Sequence, residues 1–498
     1  MSQQAPRSWS SSSTKPTQVP LPHFYEYEWR VICQKLTPFA TNKSCIQSIH
    51  EFIQLVKELD QAIRECHQEH VSETTEELES STNYHFHNLS FLFKKDGKGE
   101  LKFCKQIFPN IVKWALQVQD LIPEGYLPIL EISNPCDFCL SRRKIRSVLS
   151  CAFLCLFRKR KGIHHPKCHD FEFGLFLSVA CSTFLSSLIN YFDKHYEWEQ
   201  SLRNDSILDE VMIIERRVLQ MNSFENSPWM NDQRSMIPLK FVSGKIQDNL
   251  DTLMVDFANC MIGGHVLSGA VAQEEIMFAE IPELFISILV CPQMQPNETI
   301  RLVGWQRYSN IKGYIRNMSF EDYEDKQPIM VENVKSNQLI AMDALQGMGH
   351  MQFQKEYMTR DLLKAVCGFA LKSSDNLLQQ TNGENCEYSK VLSKINDKIP
   401  LASGFWGCGM FGNDRYLKVI QSWLAATICD RPLIYIHTFS PNDAKIEEEF
   451  NTKVVPAIVE RSVKLRELLS YVLMEFPKEK REHPELTLFE AIQQKFGR

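Results

Sequence analysis

An α/β fold, in which helices layer a sheet behind a helical leading region, is what this 498-residue sequence predicts. Three observations carry the reading. Helical periodicity dominates the chain up to about residue 235, short β-type runs begin only after about residue 236, and helical segments fall between those runs. Composition agrees, since 44% hydrophobic and 23% charged residues suffice for a large buried core.

Taken in order, residues 1–22 are rich in Ser, Pro and Gln and are expected to form a disordered tail. From about Phe24 to Asp120 the texture is helical. "CIQSIHEFIQLVKELDQAI" sets Ile46, Ile49, Phe52, Ile53, Leu55 and Val56 on one broad face. "SETTEELESSTN" (72–83) reads as an acidic linker, "KKDGKGE" (94–100) as a tight exposed turn, and "RSVLSCAFLCLF" (146–157) as a short buried helix. "FGLFLSVACSTFLSSLINYF" (173–192) carries no charge over a length that could span a bilayer. Ser178, Ser182, Ser186 and Asn190 recur along it as a polar stripe, which favours a buried helix and no membrane association.

The β-type runs are "IPLKFV" (237–242), "LDTLMVDFAN" (250–259), "ELFISILVC" (283–291), "IRLVGW" (300–305), "NQLIAMDAL" (337–345) and "RPLIYIHTF" (431–439). "DLLKAVCGFALKSS" and "DRYLKVIQSWLAATI" are helices between them. The expected division is a helical accessory region over 23–235, a sheet domain over 236–470 and a charged C-terminal tail over 471–498.

The net charge of −6 argues against a dedicated nucleic-acid binder, and no sequence-specific nucleic-acid contact is expected. Local basic clusters exist at Arg142, Arg143, Lys144 and Arg146, and at Arg158, Lys159, Arg160 and Lys161. Sixteen cysteines without a secretory leader read as reduced thiols of an intracellular protein. "CDFC" (136–139) with Cys168 and His169 can be sketched as a zinc site, but the spacing fits no common finger, and no metal is expected.

In α/β sheets ligands sit beyond strand ends, so three loops matter most. In "VDFANCMIGGHVLSGAVAQEE" (255–275), strand residues lead to Asp256 and Asn259, then to Gly263 and Gly264, then to a helix opening near Gln273. The adjacent Glu274 and Glu275 have two readings. They are acids complementing a helix dipole, or a general acid/base pair whose titrations are pushed apart. "SGFWGCGMFGND" (403–414) is either a turn held by aromatics or a loop wrapping a diphosphate in backbone N–H groups. "NIKGYIRN" (310–317) places Tyr314 after Gly313 and by itself reads as an ordinary turn.

Together and in this order, these segments resemble the catalytic domain of the poly(ADP-ribose) glycohydrolase family. Its VDFAN strand, Gly-Gly-Gly loop, Gln-Glu-Glu triplet running into an "IxFxxxPEL" helix and "WGCGxFGGD" loop stand here at 255–259, 263–265, 273–275, 276–284 and 406–414. "IAMDAL" (340–345) and "SRRKIRSVLSCAFLCLF" (141–157) also look like family segments, and the likeness covers about 110–470. The resemblance implies a macrodomain-like mixed β-sheet flanked by helices, preceded by a helical accessory region. It implies hydrolysis of ribose–ribose O-glycosidic bonds of poly(ADP-ribose) on ADP-ribosylated proteins, releasing ADP-ribose, with no cofactor and no metal.

On the same resemblance Glu275 is the general acid and then the base, Glu274 holds the reacting ribose, and Asp256 supports the site. Ile246 and Gln247 border the adenine. Asn259 and Gln273 bind polar groups, and Gly263 and Gly264 let backbone approach the ligand. Tyr314 and Phe439 stack on or clasp it. Phe405, Trp406, Gly407, Cys408, Gly409, Met410 and Phe411 cradle the diphosphate, with Phe411 near the distal ribose. Three positions depart from the family pattern: His265 replaces the third glycine, Phe405 an Asn, and Gln247 an acidic residue. With the carboxylates intact, weaker affinity is expected rather than lost chemistry. The alternatives are an inactive ADP-ribose-binding module and, less favoured by the double Glu, a macrodomain hydrolase for another ADP-ribosyl linkage. A monomer is expected, cytoplasmic, and also nuclear if "RKRKG" (158–162), which resembles a nuclear signal, acts as one.

Overall fold

Alternation along one short strand explains the layering. Leu253 and Val255 belong to one hydrophobic core while Met254 between them belongs to another, so the sheet is buried on both faces. The computed structural model describes residues 17–69, 84–95, 97–157, 167–201, 205–221, 223–224, 227–325, 330–371, 377–379 and 389–497. Its main sheet has eight strands: β1 (Cys136–Ser141), β2 (Val211–Val218), β3 (Leu239–Ser243), β4 (Leu253–Asp256), β5 (Glu298–Val303), β6 (Gln338–Ala341), β7 (Leu401–Ser403) and β8 (Ile434–Thr438). They lie in the order β1-β2-β5-β6-β4-β7-β8-β3. Pairing is parallel from β6 through β4, β7 and β8 to β3, and antiparallel from β1 to β6, which makes the sheet mixed. The parallel strands β4, β6, β7 and β8 therefore end on one side, where the chain leaves at Asp256, Ala341, Ser403 and Thr438.

One face is covered by Arg142–Phe153, Ser182–Gln200 and Phe285–Val290, together with the N-terminal helices Glu26–Ala40 and Ile49–Glu69. The other face is covered by Lys355–Phe369, Arg415–Ile428 and the C-terminal helices. The first core runs without interruption from the N-terminal helices into Ile300, Leu302 and Ala341 of the sheet.

Several expectations change. The sheet takes β1 and β2 from before residue 236, where a helical region was expected. Glu215, Arg216 and Arg217 hid β2 by interrupting its apolar run. All three are buried, Arg216 paired with Glu298 at 2.5 Å and Arg217 with Glu215 at 3.2 Å. "ELFISILVC" is mostly helix, Phe285–Val290, because a run buried all round carries no period to tell helix from strand. The 173–192 stretch is two helices, Phe173–Val179 and Ser182–Gln200, separated at Ala180 and Cys181, whose backbones are extended. The Asn88 amide holds that break by donating to the carbonyls of Val179 (2.9 Å) and Ala180 (3.0 Å). Among the described residues, no helix is long and apolar enough to cross a membrane.

Gln18–Pro20, within the expected tail, pairs with Tyr126–Pro128, while residues 1–16 lie outside the described residues. The expected turn at 94–100 is largely helical, in His87–Lys95 and Gly97–Lys102. The expected C-terminal tail forms helices that bury Phe476, Leu488, Phe489 and Ile492. The linker at 72–83 and the basic cluster at 158–161 lie outside the described residues. Arg142 and Arg146 point inward, fully buried against Glu283 and Glu199, so their cluster is no surface patch. Cys136 and Cys168 are buried and outside any disulfide, and among the described residues no cluster of His, Cys, Asp and Glu could hold a metal. Cys139 is disulfide-bonded, which corrects the reading of every cysteine as a reduced thiol.

Candidate active site

β4 delivers Asp256 to the strand-end side of the sheet, fully buried, and among the described residues neither carboxyl oxygen has a hydrogen-bond partner. The chain then loops through Asn259, Gly263 and Gly264 and re-enters as the helix Gln273–Glu280. Four backbone N–H groups of this segment clasp the two glutamates. Asn259 (2.9 Å) and Gly263 (2.6 Å) donate to the two oxygens of Glu274. His265 (3.1 Å) and Ala272 (2.8 Å) donate to those of Glu275. Both side chains are nearly buried, at 4% and 5% exposure. Burial with specific backbone partners distinguishes the pair from solvent-facing acids of a helix start, although the Ala272 contact to Glu275 also caps the helix.

The positive φ of Gly264 (+50°) and its crowding explain the glycine. A side chain there would lie 2.5 Å from Glu274 Oε2 and 2.7 Å from Glu275 Oε1, so both carboxylates rest against that one backbone atom. Burial, then the Glu275 charge, holds the Asp256 carboxyl well above its ordinary range. Burial, then Asp256 and Glu275, does the same for Glu274. Asp256 and Glu274 therefore hold protons more readily than isolated carboxylates do.

His265 does not strain the loop. Its φ is −110°, its side chain is exposed, and its N–H makes the contact to Glu275 that a glycine would make. Tyr314 is 55% exposed, and its phenol is pushed up by burial and then by the Glu275 charge. Asn259 turns its carbonyl oxygen to the Met261 N–H (3.0 Å).

Other expected ligand contacts prove structural. Gln273 accepts from the Phe257 N–H (2.8 Å) and donates to the Val255 carbonyl (3.1 Å), so its amide ties the helix start to β4 instead of facing a ligand. The Trp406 indole is fully buried, donating to the Met342 carbonyl (2.9 Å) beneath the Lys418 ammonium (4.2 Å from the ring), so only its backbone remains for a ligand. The Cys408 thiol is pushed up to about 12 by burial.

The loop it belongs to is pinned by Asn413, whose amide donates to the carbonyls of Leu345 (2.7 Å) and Gly407 (2.9 Å). Gly407 itself has φ +75° and no room for a side chain beside Ala344 and Asn413. Gly409 is open, Met410 is 83% exposed, and Phe405 and Phe411 are half-buried. Phe439 is 65% exposed, and its N–H donates to Asp443 (2.8 Å).

Ile246 and Gln247 are buried in a short turn that the sequence pattern left isolated. Arg307, unnoticed in the sequence, ties that turn to the carboxylate helix. Its guanidinium donates to the Gln247 carbonyl (3.2 Å) and pairs with Asp248 (2.8 Å) and with Glu280 (3.1 Å) at the helix end. Lys245 pairs with the same Glu280 at 2.6 Å. An arginine four residues after the end of the buried strand β5, with no acid nearby in sequence, was the one signal available.

A mixed sheet covered on both faces, with a carboxylate cluster and a glycine-aromatic loop beyond its parallel strand ends, defines a macrodomain-type catalytic unit joined to a helical region. A family model described as the macro domain fold of poly(ADP-ribose) glycohydrolase matches residues 226–445, and one described as its helical domain matches 96–212. The chain is 27% identical over 368 residues to the probable poly(ADP-ribose) glycohydrolase 2 of Arabidopsis thaliana, covering 66% of this chain and 69% of the relative. It is 27% identical over 390 residues to poly(ADP-ribose) glycohydrolase 1 of the same plant, covering 67% and 69%. With poly(ADP-ribose) glycohydrolase 2 of Caenorhabditis elegans it shares 30% identity over 284 residues, 54% of this chain and 52% of the relative. The chain belongs to the poly(ADP-ribose) glycohydrolase family.

Proposed function

We propose that the protein hydrolyses the ribose–ribose O-glycosidic bonds of poly(ADP-ribose), with Glu275 as general acid and then base. The observation that carries this is the pair of carboxylates held by four backbone N–H groups against Gly264. As the bond from C1 of the reacting ribose to the leaving ribose oxygen breaks, Glu275 gives that oxygen its proton, and the ring develops oxocarbenium character. Water then adds to C1 and returns a proton to Glu275, so the acid is regenerated and ADP-ribose leaves. Glu274 accepts hydrogen bonds from the ribose hydroxyls. Asp256 supports the site, its carboxyl raised by burial and then by the Glu275 charge.

Tyr314 and Phe439 offer exposed aromatic faces, and the open backbone at Gly409 offers N–H groups to the diphosphate. Because His265 leaves the backbone contact to Glu275 in place, the binding-only alternative is not favoured. The test follows ADP-ribose release from labelled poly(ADP-ribose). Glu275→Gln is expected to lower the rate by about a thousandfold or more with polymer still bound. Release by the unmodified protein no faster than by this variant would overturn the assignment.

A further inference from the structure

Cys168 and His169, sketched in the sequence as half of a metal site, lie in the segment that leads into the helix Phe173–Val179. In the structure His169 has a different partner. Its Nε2 lies 3.1 Å from the Met261 carbonyl oxygen. A carbonyl only accepts, so Nε2 carries the hydrogen and donates it. The same carbonyl accepts from the Gly264 N–H at 3.1 Å, which closes the turn 261–264. That turn carries the contacts on which the carboxylates depend. The Gly263 N–H donates to Glu274 (2.6 Å), Gly264 leaves the room that both carboxylates occupy, and the next residue, His265, donates to Glu275 (3.1 Å).

Neighbouring contacts make this attachment part of a seam between the helical region and the carboxylate loop. The Gln293 N–H donates to the Lys167 carbonyl (2.7 Å), and the Met294 N–H to the Cys260 carbonyl (2.7 Å). Further along the loop, a side chain on Gly269 would lie 3.0 Å from the Val179 carbonyl oxygen, at the end of the helix that follows His169. Among these hydrogen bonds, that of His169 is the one made by a side chain. We propose that His169 is a positioning residue of the hydrolysis. By holding the Met261 carbonyl it fixes the turn whose N–H groups aim Glu274 and Glu275. The proposal rests on the reading of Glu275 as general acid. A carboxylate aimed away from the leaving oxygen slows proton transfer more than it weakens binding.

Three variants of the full chain test the donor. His169→Phe keeps a ring without the hydrogen. His169→Asn has an amide one methylene too short to reach the carbonyl, and His169→Gln sets an amide N–H near the place of Nε2–H. ADP-ribose release is followed well below each variant's melting midpoint, so unfolded protein does not enter the rate. The Phe and Asn variants are expected to lose about tenfold in kcat with KM within about threefold, and the Gln variant to stay within about threefold of the unmodified protein in both. Full kcat in the Asn variant would overturn the proposal, as would a Gln variant that loses as much as Asn, or a loss in KM alone. The contrast of Asn with Gln decides even where the Phe variant does not fold. Hydrogen exchange of the peptide 256–272 reads the hold on the turn without turnover, and is expected to quicken about tenfold in the Asn variant and stay unchanged in the Gln variant. Unchanged exchange in the Asn variant would also refute it. Failure of the underlying reading is seen separately, as release by the unmodified protein no faster than by Glu275→Gln.

Discussion

At the scale of single residues, the site depends on one missing side chain and tolerates one additional one. Gly264→Ala would drive a methyl group into both carboxylates, since no rotamer of an alanine can avoid atoms 2.5 and 2.7 Å away. It is expected to lower the hydrolysis rate by about a hundredfold while the circular dichroism spectrum is retained. His265→Gly removes only an exposed imidazole and is expected to leave the rate within about threefold. Comparing the two variants in one assay of ADP-ribose release checks both. Asp256 supplies a pH signature. Its folded pKa is raised above 3.8, so the stability it contributes is complete below that value and is lost as pH rises towards the raised pKa. Asp256→Asn cannot ionise. It is expected to melt about 2 °C or more above the unmodified protein at neutral pH, with the gap closing near pH 4, in calorimetry across that range.

At the scale of elements, the helix Gln273–Glu280 is fastened at both ends. Gln273 and the Glu275–Ala272 contact hold its start, and Glu280, clasped by Arg307 and Lys245, holds its end. Arg307 also grips the 246–248 turn, so removing it loosens the expected adenine wall relative to the carboxylates. Arg307→Ala is expected to raise KM about tenfold with kcat changed less than threefold, and Arg307→Lys to recover only part, since a point charge cannot replace a planar fork. A uniform fall in kcat at constant KM would contradict this. Elements also differ in how legible they were. β4, β6 and β8 were readable because short β-type runs ended at turn residues, and Lys355–Phe369 and Arg415–Ile428 because one face is apolar. Phe285–Val290 and β2 were not. The first is buried all round, its one polar residue Ser287 included, so nothing marks a period, and the second buries charges whose partners lie on β5 or in the same strand.

At the scale of the whole molecule, the helical region and the sheet share one core and one set of buried ion pairs. Arg142, from the helix following β1, pairs with Glu283 beside the carboxylate helix, and Glu283 also accepts from the Tyr308 hydroxyl (2.7 Å), which is linked to His195 (3.1 Å). A fragment beginning at residue 236 would lack β1 and β2, expose the edge of β5, and leave Glu283 and Glu298 buried without their arginines. It is expected to aggregate or stay unfolded, where the full chain gives a single cooperative transition. Size-exclusion chromatography with thermal melting distinguishes the two.

The sequence alone determined the class of fold, the two glutamates and the glycine loops, because period, turn chemistry and motif order are local properties carried along the chain. Only the tertiary structure decided that Gln273 and Trp406 are struts and that Arg307 and Asn413 hold the site. It alone joined β1 and β2 to the sheet. Those outcomes depend on which distant backbone groups and charges meet once the sheet closes, and burial makes each unpaired one costly enough to select its partner.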